Sequence, residues 1–504
     1  MGTTSPFHIP QDRTRVVTLV GCGLFVIGCL VYLELGQVNA DEGWYLYASK
    51  LVFQGELPYR DFAYTQMPLL PYVYGVIQSV HPGLFWGRVT SVLLLIGTLA
   101  LSVVTARRYG GARAVSITAL LFAGFTFCIY FNSIVKTYAL VSFFFVATLF
   151  ALSSKLNDDT KYPLAIVFAF SAALVRLTAI FFLAPVLVYV LIAAPRAKTR
   201  ALVLLVCVAL TALAGVFLLP DWQLARWNLL DSHLSHWGAS PLLVRLRDIL
   251  SLRLPDIVHN FGPVLVLCAA ALYFIVRNRN ARLGSRDLAP ILATTVGLTL
   301  FGASHLVNGI WEVEYLVPAF TVFLPIIAIA LSHLYGETGS TSRTLVQVTL
   351  VAVIVLLPLG ESTQHTDLTG GRLPLDEIDQ VAAFVAQNSQ PADKVLALEA
   401  LSVVVDAKRS SLPGMTLAQF SLQEVDTATA QRLHVVNYDW VANAIAQKTA
   451  RVIVLTDGDW NMLAVEDPAG LSALQNAVDQ NYREALTMTD FGQFSQTVYV
   501  YLRR

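Results

Sequence analysis

A chain of 504 residues that is 56% hydrophobic and 13% charged is too apolar for an ordinary soluble protein. Basic and acidic residues balance at 34 each, and no polybasic tract points to nucleic acid. The balance hides a split: residues 361–504 hold 18 acidic and 10 basic groups, so an acidic soluble domain of 361–504 follows a basic membrane part of 1–360. The five cysteines (Cys22, Cys29, Cys128, Cys207 and Cys268) lie in apolar runs with neither disulfide nor metal-site spacing.

The first apolar run, Val16 to Leu35, exceeds a signal peptide's hydrophobic stretch and reads as an uncleaved first helix. Apolar segments of near-spanning length recur, giving about eleven expected transmembrane helices. They are placed near 16–35, 84–106, 112–130, 137–153, 163–175, 177–194, 201–219, 259–276, 288–304, 315–333 and 344–360. Alternate loops collect the basic residues, among them Arg107, Arg108, Arg113, Lys155, Lys161, Arg196, Lys198 and Arg200. The positive-inside rule makes that side cytoplasmic, with the N-terminus, and puts the C-terminal domain outside. Arg176 interrupts 163–194, and two half-length helices meeting there would spare it from facing lipid; one long tilted helix is the rival.

Between the first two spans lies the polar, aromatic stretch Asn39 to Pro71. It carries Asp41-Glu42, Tyr45, Tyr59-Arg60-Asp61 and Gln66, a grouping suited to acid–base chemistry at a bilayer surface; a juxtamembrane aromatic belt is the alternative. Asp41-Glu42, Tyr45, Ala48, Gly55, Leu57-Pro58-Tyr59-Arg60-Asp61 and Pro68-Leu69 resemble the first external loop of GT-C glycosyltransferases. The nearest groups in that resemblance are the bacterial families related to protein O-mannosyltransferases and lipid A aminoarabinose transferases. It is strongest over Asn39 to Arg88 and covers little of the last 144 residues. Where many relatives carry Lys-Pro-Pro this chain has Gln66-Met67-Pro68, so the lysine expected on a donor phosphate is missing and another cation must serve.

The outer loop from Pro220 to about His259 offers His233 and His236 for substrate contact, and Asp231-x-His233-x-x-His236 has possible metal-ligand spacing, although interfacial anchoring is the commoner case. His305, Glu314 and Tyr315, before the tenth span, are further cavity-lining candidates. Beyond Gly360, helical periodicity over Asp376 to Gln387, Leu433 to Lys448 and Leu471 to Gln480 alternates with expected strands. The strands are Lys394 to Glu399, Arg451 to Thr456 and Thr497 to Leu502, and together these predict a small α/β domain. Asp457-Gly458-Asp459 reads as a strand-end loop before a cation site, and no nucleotide-binding glycine motif occurs.

The resemblance implies a mainly α, polytopic membrane enzyme with a C-terminal soluble α/β domain. It would transfer a sugar, with inversion, from a polyprenyl-phosphate donor to a lipid, glycan or protein acceptor on the outer face. It implies Asp41 as general base with Glu42 beside it, and Arg176, then Arg60 and Arg88, toward the donor phosphate. Tyr45, Tyr59, Asp61 and Gln66 would touch substrate. No cofactor is required by the sequence, and a divalent metal stays open by analogy with other GT-C branches. A transporter or flippase of lipid-linked sugars, or a non-catalytic cell-envelope assembly protein, would share much of this pattern.

Overall fold

The computed structural model describes residues 11–232, 242–277, 285–307, 310–337 and 372–504. The expected span 344–360 and the loop histidines His233 and His236 lie outside these residues. Long apolar helices dominate the first part. α1 (Gln11–Leu35) leaves Leu19, Leu24, Ile27 and Leu30 exposed. Helices this long with apolar residues turned outward suit hydrocarbon rather than water.

α2 (Asp41–Phe53) and α3 (Leu69–Gln78) follow α1, then the 41-residue α4 (Leu84–Gly124). α4 is two legs joined at Gly111, whose φ of 66° and ψ of −158° lie where side chains rarely go. Arg88 on the first leg reaches the Gly36 carbonyl beyond the C-terminal end of α1, at 2.8 Å. Ser116 on the second leg reaches the Thr14 carbonyl at the other end, at 3.1 Å. The legs are therefore antiparallel and correspond to the expected helices 84–106 and 112–130. α5 (Thr126–Ser133) continues to a corner at Ile134–Lys136, where α6 (Thr137–Ser153) turns off by 111°.

The break at Arg176 is real. α7 (Asp158–Val175) ends there, a 3₁₀ turn covers Leu177–Ala179, and α8 (Ile180–Ala193) runs back. The Tyr162 hydroxyl near the start of α7 lies 3.5 Å from the Ala193 carbonyl at the end of α8. The single tilted helix is ruled out, and Arg176 stands at an apex. α9 (Ala197–Leu218), α10 (Leu254–Arg277), α11 (Ser285–Leu306) and α12 (Val317–Glu337) complete the bundle. Among the described residues five helices are long and apolar enough to cross a membrane, or six if the bent α5–α6 pair counts as one span. The expected eleven is not reached on that measure, partly because Leu177–Ala193 is short and α4 counts once.

The C-terminal residues form a five-stranded sheet in the order β2-β1-β3-β5-β4. β1 (Lys394–Ala397) pairs in parallel with β2 (Ser410–Ser411) and β3 (Val452–Thr456). β5 (Gln496–Arg503) is antiparallel to β3 and to β4 (Tyr482–Phe491). β1, β3 and β5 answer the expected strands. β4 has no clean alternation, because it is an edge with bulges at Glu484/Leu486 and Met488/Phe491. Asp459 is the third residue of a helix capped by Thr456, and its carboxylate accepts the Thr456 and Glu399 amides at 3.0 Å each. Residues 457–459 therefore open a helix rather than form a free loop, with one Asp459 oxygen serving the cap and the other holding the Glu399 amide.

This sheet domain sits on α2. The Ser411 amide donates to the Tyr47 hydroxyl at 2.8 Å, and Lys50 donates to the Arg409 carbonyl. Thr416 donates to the Ala63 carbonyl at 3.0 Å, and the Leu84 amide, opening α4, donates to Asp406 at 3.0 Å. Gly43 is so close that an added Cβ would stand 2.5 Å from the Ser402 nitrogen.

Candidate active site

Asp41 is the first residue of α2, and its backbone amide donates to the Asn39 side chain at 3.1 Å. One carboxylate oxygen accepts the Trp44 indole N–H at 3.2 Å; the other lies 3.0 Å from Lys136 Nζ. A carboxylate has about four lone-pair positions. Two remain for a substrate hydroxyl, and the side chain is 23% exposed, so one can approach.

Lys136 comes from the α5–α6 corner and is buried. Its ammonium also meets Glu314 Oε1 at 3.3 Å, from the turn that opens α12. The next residue, Thr137, accepts a hydrogen bond from Arg176 Nη1 at 3.1 Å. The Arg176 guanidinium lies 4.4 Å from the Tyr315 ring centre and 5.7 Å from that of Tyr138. Among the described residues no carboxylate lies within 4.0 Å of it, although Arg176 is only 7% exposed. A buried guanidinium held by two rings and one hydroxyl is a ready partner for an anion. Tyr45, stacked on Trp44 at 3.7 Å, senses Asp41, Arg176, Lys136 and Tyr315 together. Burial, reinforced by Asp41, pushes its phenol well above the ordinary range. His305 closes the far side: Nε2 is 3.2 Å from Thr178 Oγ1, its ring packs on Tyr315, and Nδ1 has no partner among the described residues.

No family model matches this sequence, and no curated protein matches it. Among solved structures, ArnT from Cupriavidus metallidurans bound to undecaprenyl phosphate superposes with a TM-score of 0.61 at 13% identity. The alignment covers 96% of this chain and 97% of that one. The apo state of the same ArnT gives 0.60 over the same shares. This chain has the GT-C fold. The Archaeoglobus fulgidus oligosaccharyltransferase, at 14% identity over 95% of this chain and 73% of its own, has a TM-score of 0.49.

On this GT-C fold the other expected site residues divide. Glu42 is fully buried and grips Arg88 through two bonds of 2.9 and 2.6 Å, while also accepting the Val135 and Asn39 amides at 3.0 Å. Arg88 spends its remaining donors on the carbonyls of Gly36 and Gln37 at 2.8 and 3.0 Å. Neither is free to meet substrate; together they tie α1, α2, α4 and the α5–α6 corner. In this structure Arg88 and Glu42, expected at a donor phosphate and beside the general base, instead face each other. Arg60 and Asp61 pair with each other at 2.7 Å on the surface, apart from the buried cluster. Tyr59 is buried, with a left-handed φ of 69°, and donates to the Gln66 carbonyl. Both shape the turn of the loop. Lys136 and Tyr138 were missed by sequence reading, which left Lys136 in a connection between two spans. The signal was a lone cation between the apolar runs ending at Val135 and beginning at Tyr138, the reasoning that singled out Arg176.

Proposed function

We propose that this protein is an integral membrane glycosyltransferase that takes a sugar from a polyprenyl-phosphate donor, with inversion, at the outer face of the membrane. The observation that carries this reading is the meeting, at the Lys136–Thr137 corner, of a partly exposed carboxylate, Asp41, with a buried arginine, Arg176, that has no carboxylate within 4.0 Å among the described residues. Asp41 accepts the proton of the acceptor hydroxyl as that oxygen bonds to the anomeric carbon. The bond from that carbon to the phosphate oxygen breaks on the opposite side, and its electron pair leaves with the lipid phosphate. Arg176 stabilises the charge growing there, where a fixed cation acts most strongly. The undecaprenyl phosphate named for the ArnT structure supports the same donor class. Mass spectrometry of lipids, cell-wall polymers and secreted proteins, with and without the gene, tests this. Loss of one hexose or pentose increment is expected; identical profiles would remove the transferase reading.

Arg176→Ala is expected to raise the donor KM far more than it changes acceptor use, by ~10²-fold or more for a lost charged hydrogen-bonded partner. Lysine restores part, since a point charge reaches phosphate without the bidentate fork. Unaltered donor kinetics in the alanine variant would make Arg176 structural.

The proposed orientation has its own test. The apex of Arg176 and the C-terminal sheet share one end of the bundle, whereas Ala197, beside Arg196 and Lys198, lies at the other. In a chain otherwise lacking cysteine, Thr489→Cys is expected to react with a membrane-impermeant thiol reagent in intact cells. Ala197→Cys reacts only after lysis. The reverse pattern would put the site on the cytoplasmic side.

A further inference from the structure

The two carboxylates nearest the reacting position, Asp41 and Glu314, converge on one point between helices that are distant in sequence. Such a convergence is where a hard divalent cation binds, because oxygen ligands of two charges gather around it. In this chain the point is taken. Lys136 Nζ stands 3.0 Å from Asp41 and 3.3 Å from Glu314, and its stem is buried. Its place is fixed by the chain: Lys136 precedes the first residue of α6 in extended conformation at the 111° corner, and its amide donates to the Ile134 carbonyl at 3.0 Å. The ring of Tyr138 lies 5.6 Å from the ammonium and that of Phe131 6.0 Å, so its surroundings complete a cation's shell.

The donor set does not fit a divalent ion alongside that ammonium. Among the described residues, no group of three or more His, Cys, Asp or Glu side chains is arranged to hold a metal. Glu42, the remaining acid next to Asp41, is spent on Arg88 and two amides. A second cation between the same two carboxylates would meet Lys136 at close range and be repelled.

We propose that Lys136 is a built-in cation standing where a divalent metal would otherwise sit, so that the site keeps Asp41 aimed without one. The role assigned to Asp41 rests on the transferase reading; the occupancy of the point by Lys136 does not. Lys136 is a positioning residue: it holds one Asp41 oxygen and leaves the rest of the carboxylate to the acceptor. Removing the ammonium empties the point and leaves two facing carboxylates. Metal–oxygen bonds of about 2.0–2.6 Å require each carboxylate oxygen to close in by roughly 0.4–1.3 Å from its present distance to the ammonium.

The experiment is Mn²⁺ binding to the purified full-length protein, followed by electron paramagnetic resonance. Four proteins are compared: wild type, Asp41→Asn, Lys136→Ala and the double variant Lys136→Ala/Asp41→Asn. Wild type and Asp41→Asn are expected to give the same isotherm. Lys136→Ala gains one Mn²⁺ site, with Kd near ~10⁻⁴–10⁻³ M as for open oxygen sites, and the double variant loses it. Lys136→Met, which retains an unbranched stem, repeats the gain should the alanine protein fail to fold. A wild-type Mn²⁺ site abolished by Asp41→Asn would overturn the proposal, as would folded Lys136 variants that gain no site. Sugar transfer by wild type is expected to be unchanged by chelator, and a chelator-sensitive turnover restored by Mn²⁺ also overturns it. If wild type transfers no sugar at all, the transferase reading fails while the metal isotherms still decide what Lys136 does.

Discussion

Asp41→Asn is expected to lower turnover by roughly two to four orders of magnitude while donor binding and the fold persist. Asparagine fills the same volume and still accepts the Trp44 indole, so α2 keeps its start. It cannot take a proton, and it leaves Lys136 with Glu314 as its remaining anion. Steady-state transfer by purified protein, beside direct binding of the lipid donor, separates chemistry from binding. Wild-type turnover in the asparagine variant would remove the base from this loop. A transporter would then become the stronger reading, since it asks no proton acceptance at that position.

Arg88→Leu acts through stability instead. It leaves the fully buried Glu42 carboxylate without its cation, which costs on the order of 3–5 kcal/mol for a broken buried pair. It also releases the carbonyls of Gly36 and Gln37 that fix the exit from α1. The expected result is a sharply lower midpoint of thermal inactivation in detergent, or loss of folded protein from the membrane. The double variant Arg88→Leu/Glu42→Gln is expected to be less damaged, because no buried charge is then left alone. An Arg88→Leu protein with an unchanged midpoint and weakened donor binding would return Arg88 to the phosphate.

Much of this was legible from residues. Apolar runs and segregated basic loops gave the bundle, and a guanidinium inside an apolar run forced the α7–α8 break at Arg176. Asp41 was singled out through the resemblance of its loop to GT-C transferases. What separates Asp41 from Glu42 was legible only through that resemblance. Successive positions on a helix diverge by direction, and only the fold decides which of them meets Arg88 and which meets Lys136. Lys136 stayed hidden for a related reason: a cation between two helices reads as a surface connection until the 111° corner turns it inward. The pairing of Lys136 with Glu314 spans 178 positions, a distance local patterns do not report.

The grip of the sheet domain on α2 also sets a timetable. Lys50 and Arg409 are separated by 359 positions, and the ribosome adds about 5–20 residues per second. The helix bearing Asp41 therefore waits on the order of tens of seconds in the membrane before the surface that clamps it exists. During that interval the nascent chain carries its acid on an unsupported segment. The brace arrives last, when the C-terminal residues have folded onto α2, so a prematurely terminated product lacks it.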